Sequence, residues 1–136
     1  MGILGTLAAS LGTRWIDNRQ DRRVWLRDQR LEAHHAFLNR VNRLLAASEA
    51  ITSSSPDAAN SDGMRIDFRE AVAATVDAFN RIELVGTANT YDLAVKILEA
   101  AHPDRMLKPS EFEGVMRAIG EASRNYREAA KAEVRA

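Results

Sequence analysis

The chain has 136 residues, enough to bury one modest core and too few for two. Its 46% hydrophobic and 28% charged content excludes general disorder, and its zero cysteines exclude disulfides and thiolate chemistry. A formal net charge of zero hides an uneven distribution: Arg14 to Arg43 carries eight arginines against Asp17, Asp21, Asp28 and Glu32, so that segment stands at +4 and the remainder at −4.

Proline occurs only at Pro56, Pro103 and Pro109, while alanine, arginine, leucine and glutamate are abundant; by propensity the chain is helical throughout. From Leu4 to Ile51 no proline intervenes and glycine stops at Gly12, which predicts one long helix. Its second half places Leu31, Phe37, Leu38, Val41, Leu44, Leu45 and Ile51 at the three-and-four spacing of a buried face. Its first half differs. Between Arg14 and Arg30 the large apolar residues Trp15, Ile16, Val24, Trp25 and Leu26 are scattered among six arginines and three aspartates, too thin a face for a core. That half is expected to project from the domain, pair with another copy, or lie on a surface.

Residues 52–63 (TSSSPDAANSDG) read as a polar linker. A second helix is predicted from Met64 to Val85, with Phe68, Val72, Val76 and Phe79 on one side and Gly86 as its C-terminal cap. A third runs from Thr90 to Ala101 on Tyr91, Ala94, Ile97 and Leu98, and Pro103 ends it. Ser110 with Glu113 has the spacing of a capping box, opening a last helix that carries Phe112, Val115, Ile119, Ala122, Tyr126 and Ala130. The predicted fold is all-α: a four-helix assembly with one long N-terminal helix projecting from a small bundle, residues 1–30 forming the arm and 31–136 the bundle domain.

The arm carries the candidate interaction residues. Ile3, Leu4, Leu7 and Leu11 lie in a stretch without charged side chains, Met1 to Thr13, too short to span a bilayer. Trp15, Trp25, Arg19, Arg22, Arg23 and Arg27 follow. Indole and guanidinium suit an anionic membrane surface, and the same residues suit a protein partner or a second copy; docking of the segment on its own bundle is the structural alternative. The acids interleaved with the arginines weaken a nucleic-acid accessory reading.

Two Glu-x-x-His pairs, Glu32 with His35 and Glu99 with His102, place a carboxylate and an imidazole on one helical face. That spacing is used by ferritin-like di-metal enzymes, where Glu70 or Glu83 and Glu113 or Glu121 would complete the set. With ten glutamates and three histidines, coincidence produces such pairs easily. No cofactor, resident metal or catalytic set is expected, since the serines lack an evident histidine partner.

The stretch Arg14 to Ala47 (RWIDNRQDRRVWLRDQRLEAHHAFLNRVNRLLAA) resembles a loose group of uncharacterised small actinobacterial and actinophage helical proteins. In these a hydrophobic N-terminal helix leads into an Arg/Trp-rich helix. The resemblance implies a helical domain in the cytoplasm with its N-terminus peripheral at the inner face of the membrane, and it implies no activity. The reading that follows is a non-enzymatic interaction or assembly protein, membrane-peripheral or self-associating through its N-terminal helix.

Overall fold

The computed structural model describes residues 2–55, 62–102 and 107–135, with side chains from Asp21 onward. Four α-helices follow in order: α1 (Gly2–Thr52), α2 (Asp62–Val85), α3 (Ala88–Ala100) and α4 (Phe112–Arg135), the last preceded by a 3₁₀ turn, Pro109–Glu111. No strand occurs among the described residues. The chain is an all-α, four-helix protein. At 51 residues, α1 is about 77 Å long, roughly twice the length of α2 or α4.

Each helix packs on its neighbour in sequence, and α4 closes back on α1. Long-range pairs set the directions: Arg81 reaches Gln29 and Arg127 reaches Asn42, so α2 and α4 run antiparallel to α1. The core is built from helical periodicity. On α1 the buried residues Ala33, Phe37, Val41, Leu44, Ser48 and Ile51 recur in steps of four or three, the stripe that a 3.6-residue turn presents to one side. They meet Val72 and Ile82 of α2, Ala94 and Ile97 of α3, and Val115, Ile119 and Tyr126 of α4. Phe37 leans on Tyr126 with ring centroids 5.0 Å apart. At the other end of the bundle Phe68 and Phe112 pack edge to face at 4.9 Å, the arrangement that ring quadrupoles favour. Buried hydroxyls turn back on their own helices: Ser48 donates to the Leu44 carbonyl and Thr75 to that of Ala71. No buried side-chain polar atom among the described residues lacks a partner.

Three expectations need correction. Leu31 and Val76, assigned to core faces, are 40% and 36% exposed; each sits at the edge of its helix's buried stripe, where periodicity alone cannot fix the boundary. The start of α4 is capped two residues earlier than Ser110 and Glu113 suggest. The Lys108 amide donates to the Glu111 carboxylate at 3.0 Å and the Glu111 amide to the Lys108 carbonyl at 2.9 Å, while Glu113 faces Arg117 on the surface. Pro109 fixes the φ angle that starts this turn.

The α2–α3 turn is the tightest joint. Gly86 closes the last turn of α2 by donating to the Ile82 carbonyl, and Thr87 caps α3, its hydroxyl accepting from the Thr90 amide. Gly86 has no positive φ; glycine is required by space. A Cβ there would lie 2.7 Å from the Ile82 carbonyl oxygen and 2.9 Å from Thr90 Oγ1. Gly86→Ala is therefore expected to destabilise the fold by about 1–3 kcal/mol through overpacking. At the far end of α3, His102 adopts φ 49°, a left-handed conformation that glycine takes without steric penalty. His102→Gly is expected to stabilise by up to about 1 kcal/mol. Urea unfolding of the two variants should shift the midpoint in opposite directions.

Candidate functional site

The most concentrated polar chemistry lies where α1 enters the bundle. His34 is 2% exposed and Tyr126 is fully buried. Their positions follow from register: His34 is one turn before Leu38 on the α4-facing side of α1, and Tyr126 and Glu133 are seven residues apart on one face of α4. The Tyr126 hydroxyl lies 2.5 Å from His34 Nδ1, and Glu133 Oε2 lies 2.9 Å from His34 Nε2. An ionised carboxylate only accepts. The proton therefore sits on Nε2, and Nδ1 is left to accept from the tyrosine hydroxyl.

Glu133 is 4% exposed at its side chain. Its other oxygen accepts from the Thr87 amide at 3.0 Å and stands 3.3 Å from Arg30 Nε. The same Arg30 nitrogen donates to the Val85 carbonyl at 2.8 Å, where α2 ends. One carboxylate thus joins α1, α4 and the α2–α3 turn, and it stands at the N-terminus of α3, where a helix favours negative charge.

Burial holds the His34 pKa below its ordinary value, because desolvation outweighs the attraction of Glu133. Burial, reinforced by the Glu133 charge, pushes the Tyr126 hydroxyl above its usual range. Both groups are thereby kept neutral, and both are sealed from solvent. The arrangement ties α1 to α4 and to the α2–α3 turn.

The metal-ligand candidates do not converge. Glu32, His35, Glu99 and His102 are all exposed, and Glu32 pairs with Arg81 at 3.2 Å. Glu99 lies twelve residues beyond Thr87 on α3, roughly 18 Å along the bundle from the Glu133 level. Among the described residues no set of three histidine, aspartate or glutamate side chains could hold a metal ion.

The arm candidates divide. Arg22, Arg23, Trp25 and Arg27 are exposed on α1, with Trp25 at 60% and its neighbour Val24 at 58%. Ile3, Leu4, Leu7, Leu11, Trp15 and Arg19 lie outside the residues whose side chains are described. Contacts between α1 and the bundle are in place by Gln29 and Arg30. No described helix is long and apolar enough to cross a membrane. Below the arm, Leu31, His34, Leu38, Ala130 and Val134 line an open groove of about 290 Å³ between α1 and α4, bordered by His35, Arg127, Lys131 and Arg135.

His34 and Glu133 were absent from the residues singled out from sequence, and Tyr126 was placed on the core face of the last helix without a polar role. The available signal was the i, i+7 placement of Tyr126 and Glu133, which puts a carboxylate on the stripe assigned to the core. The chain matches no family model, no curated protein and no solved structure.

The lowered His34 pKa has a defined consequence. A group whose folded pKa is depressed contributes stability that is present above the unfolded value, near 6.5, and lost as pH falls through the folded value. Wild-type stability should thus decline from about pH 6.5 downward, and His34→Gln should flatten that part of the curve in denaturant titrations run at several pH values. Tyr126→Phe leaves Nδ1 without its donor and should cost about 1–3 kcal/mol at neutral pH.

Proposed function

We propose that the chain is a non-enzymatic assembly protein in which the bundle braces α1 and the segment of α1 that leaves the bundle associates with further copies of the chain. The observation that carries this reading is the exposure of Val24 and Trp25, at 58% and 60%, on adjacent positions of a continuous helix. Burying large apolar side chains yields about 1.5–3 kcal/mol each, and these two find no such cover within their own fold. Arg22, Arg23 and Arg27 flank them and supply charge that steers and orients a partner. The buried polar cluster supports the same reading from the other side, since its hydrogen bonds are spent on fixing α1 against α2, α3 and α4.

The test compares the wild-type chain with the double variant Val24→Ser/Trp25→Ser by light scattering across a concentration series. The variant is expected to lose self-association while its thermal unfolding stays within a few degrees of wild type, because both positions are surface sites. Unchanged association in the variant, or a wild type that stays monomeric, counts against the proposal. A monomer that floats with anionic vesicles would replace it with a membrane-surface role.

A further inference from the structure

We infer that the groove between α1 and α4 is a binding site for a single-chain fatty carboxylate, with the acyl chain on the groove floor and the carboxylate on its cationic rim. Such a site needs no second copy of the chain and goes beyond the self-association reading.

The floor follows from helix periodicity. Leu31 and Leu38, seven residues apart, share one side of α1, and Ala130 and Val134, four apart, share one face of the antiparallel α4. Three of these four side chains are branched, whereas Ala130 ends at a methyl. The space that a larger side chain would fill stands open as a furrow of about 290 Å³, and Leu31 beside it is 40% exposed. That volume is close to the lower bound for small-ligand pockets, about 300 Å³, and it suits one slender hydrocarbon chain.

The rim selects the head group. His34 meets both Tyr126 and Glu133 of α4, so His35, the next residue, stands level with the turn from Arg127 to Lys131. All three are exposed and border the groove. An imidazole on the α1 side thus faces a guanidinium and an ammonium on the α4 side, and Arg135 continues the α4 rim by one more turn. Among the described residues, those lining the groove include no acid. Arg127 donates to Asn42 Oδ1 at 3.0 Å, which steadies the guanidinium without neutralising it. Lys131 has Glu128 at 3.8 Å, both of them exposed, a pairing that contributes little and yields to a better acceptor. A carboxylate entering at this level meets charge-assisted donors from Lys131 and from the remaining N–H groups of Arg127. From there the acyl chain runs over Ala130 to Leu31 and Val134, whose apolar surface it removes from water. An ammonium head would meet like charge at the same place. An anionic bilayer would meet Asp21 and Asp28, both exposed on the neighbouring flank of α1, so the ligand is the free amphiphile.

Calorimetric titration of the full chain with dodecanoate, kept below its micelle-forming concentration, tests the inference. Dodecyltrimethylammonium carries the same chain on a cationic head, and phosphatidylglycerol vesicles supply the bilayer. Saturable binding of dodecanoate at one per chain is expected, about tenfold or more tighter than that of dodecyltrimethylammonium. Arg127→Gln/Lys131→Gln should weaken dodecanoate binding by about tenfold and erase the preference between the two heads. Leu31→Gln should instead weaken both amphiphiles alike, by about fivefold. Circular dichroism of these variants should remain that of the wild type, because the replaced side chains are surface groups. The ratio of one per chain holds for a monomer and for any assembly of it, so a failure of self-association leaves this result standing. Absence of saturable dodecanoate binding, equal affinity for the two heads, or a variant of either kind that binds as the wild type does overturns the site. Binding to the vesicles alone also overturns it and assigns the cationic rim to a bilayer surface.

Discussion

Glu133 of α4 is a carboxylate withdrawn from water and held by donors from two other elements: Arg30 and His34 of α1, and the Thr87 amide at the head of α3. Removing a carboxylate from water costs several kcal/mol, and only well-placed partners offset that cost. Any relative shift of α1, α4 or the α2–α3 turn would strand the charge. A hydrophobic stripe tolerates sliding by a fraction of a turn, but this cluster does not. It therefore sets the level at which α1 sits in the bundle, and with it the register of every pairing further along the helices.

The neighbouring contacts depend on that setting. Arg30 can reach the Val85 carbonyl only while it faces Glu133, and Gly86 lets the chain reverse next to Thr90 without a side chain in the way. Tyr126 completes the cluster by filling the remaining nitrogen of His34 and by packing against Phe37. Polar satisfaction and core packing are thus achieved by the same residues, which explains why a bundle this small can carry a buried imidazole and a buried carboxylate.

Fixing α1 at one end has an outward consequence. The cross-helix contacts of α1 lie between Gln29 and Ile51, and Val24, Trp25 and Leu31 stand exposed before or at the start of that stretch. His34, Tyr126 and Glu133 are buried, whereas the exposed large apolar side chains lie on α1 (Val24, Trp25, Leu31) and on α2 (Ile66, Val76, Leu84).

The helical content, the long first helix, the second helix and its end at Val85, and most core positions were legible in the sequence. Each depends on local rules: few prolines, strong helix formers, and apolar residues every three or four positions. The edges of the buried faces were less legible. Leu31 and Val76 carry the same periodic signal as their neighbours, yet whether an edge position is covered depends on how far the next helix reaches. The cap at Lys108 and Glu111 was missed because Ser110 and Glu113 fit the Ser-x-x-Glu pattern two residues along, whereas Lys108 lacks the hydroxyl of that pattern. The histidines marked for metal binding, His35 and His102, proved exposed, while His34, one residue away, is the buried one. A shift of 100° around a helix separates the two, and sequence spacing does not say which side another helix will occupy. The sequence by itself determined that this chain forms helices and which stripes of them seek cover. The tertiary structure alone decided that His34, Tyr126, Glu133 and Arg30, up to 103 positions apart in the chain, would meet, because such a meeting depends on the packing directions of three helices and on no local propensity.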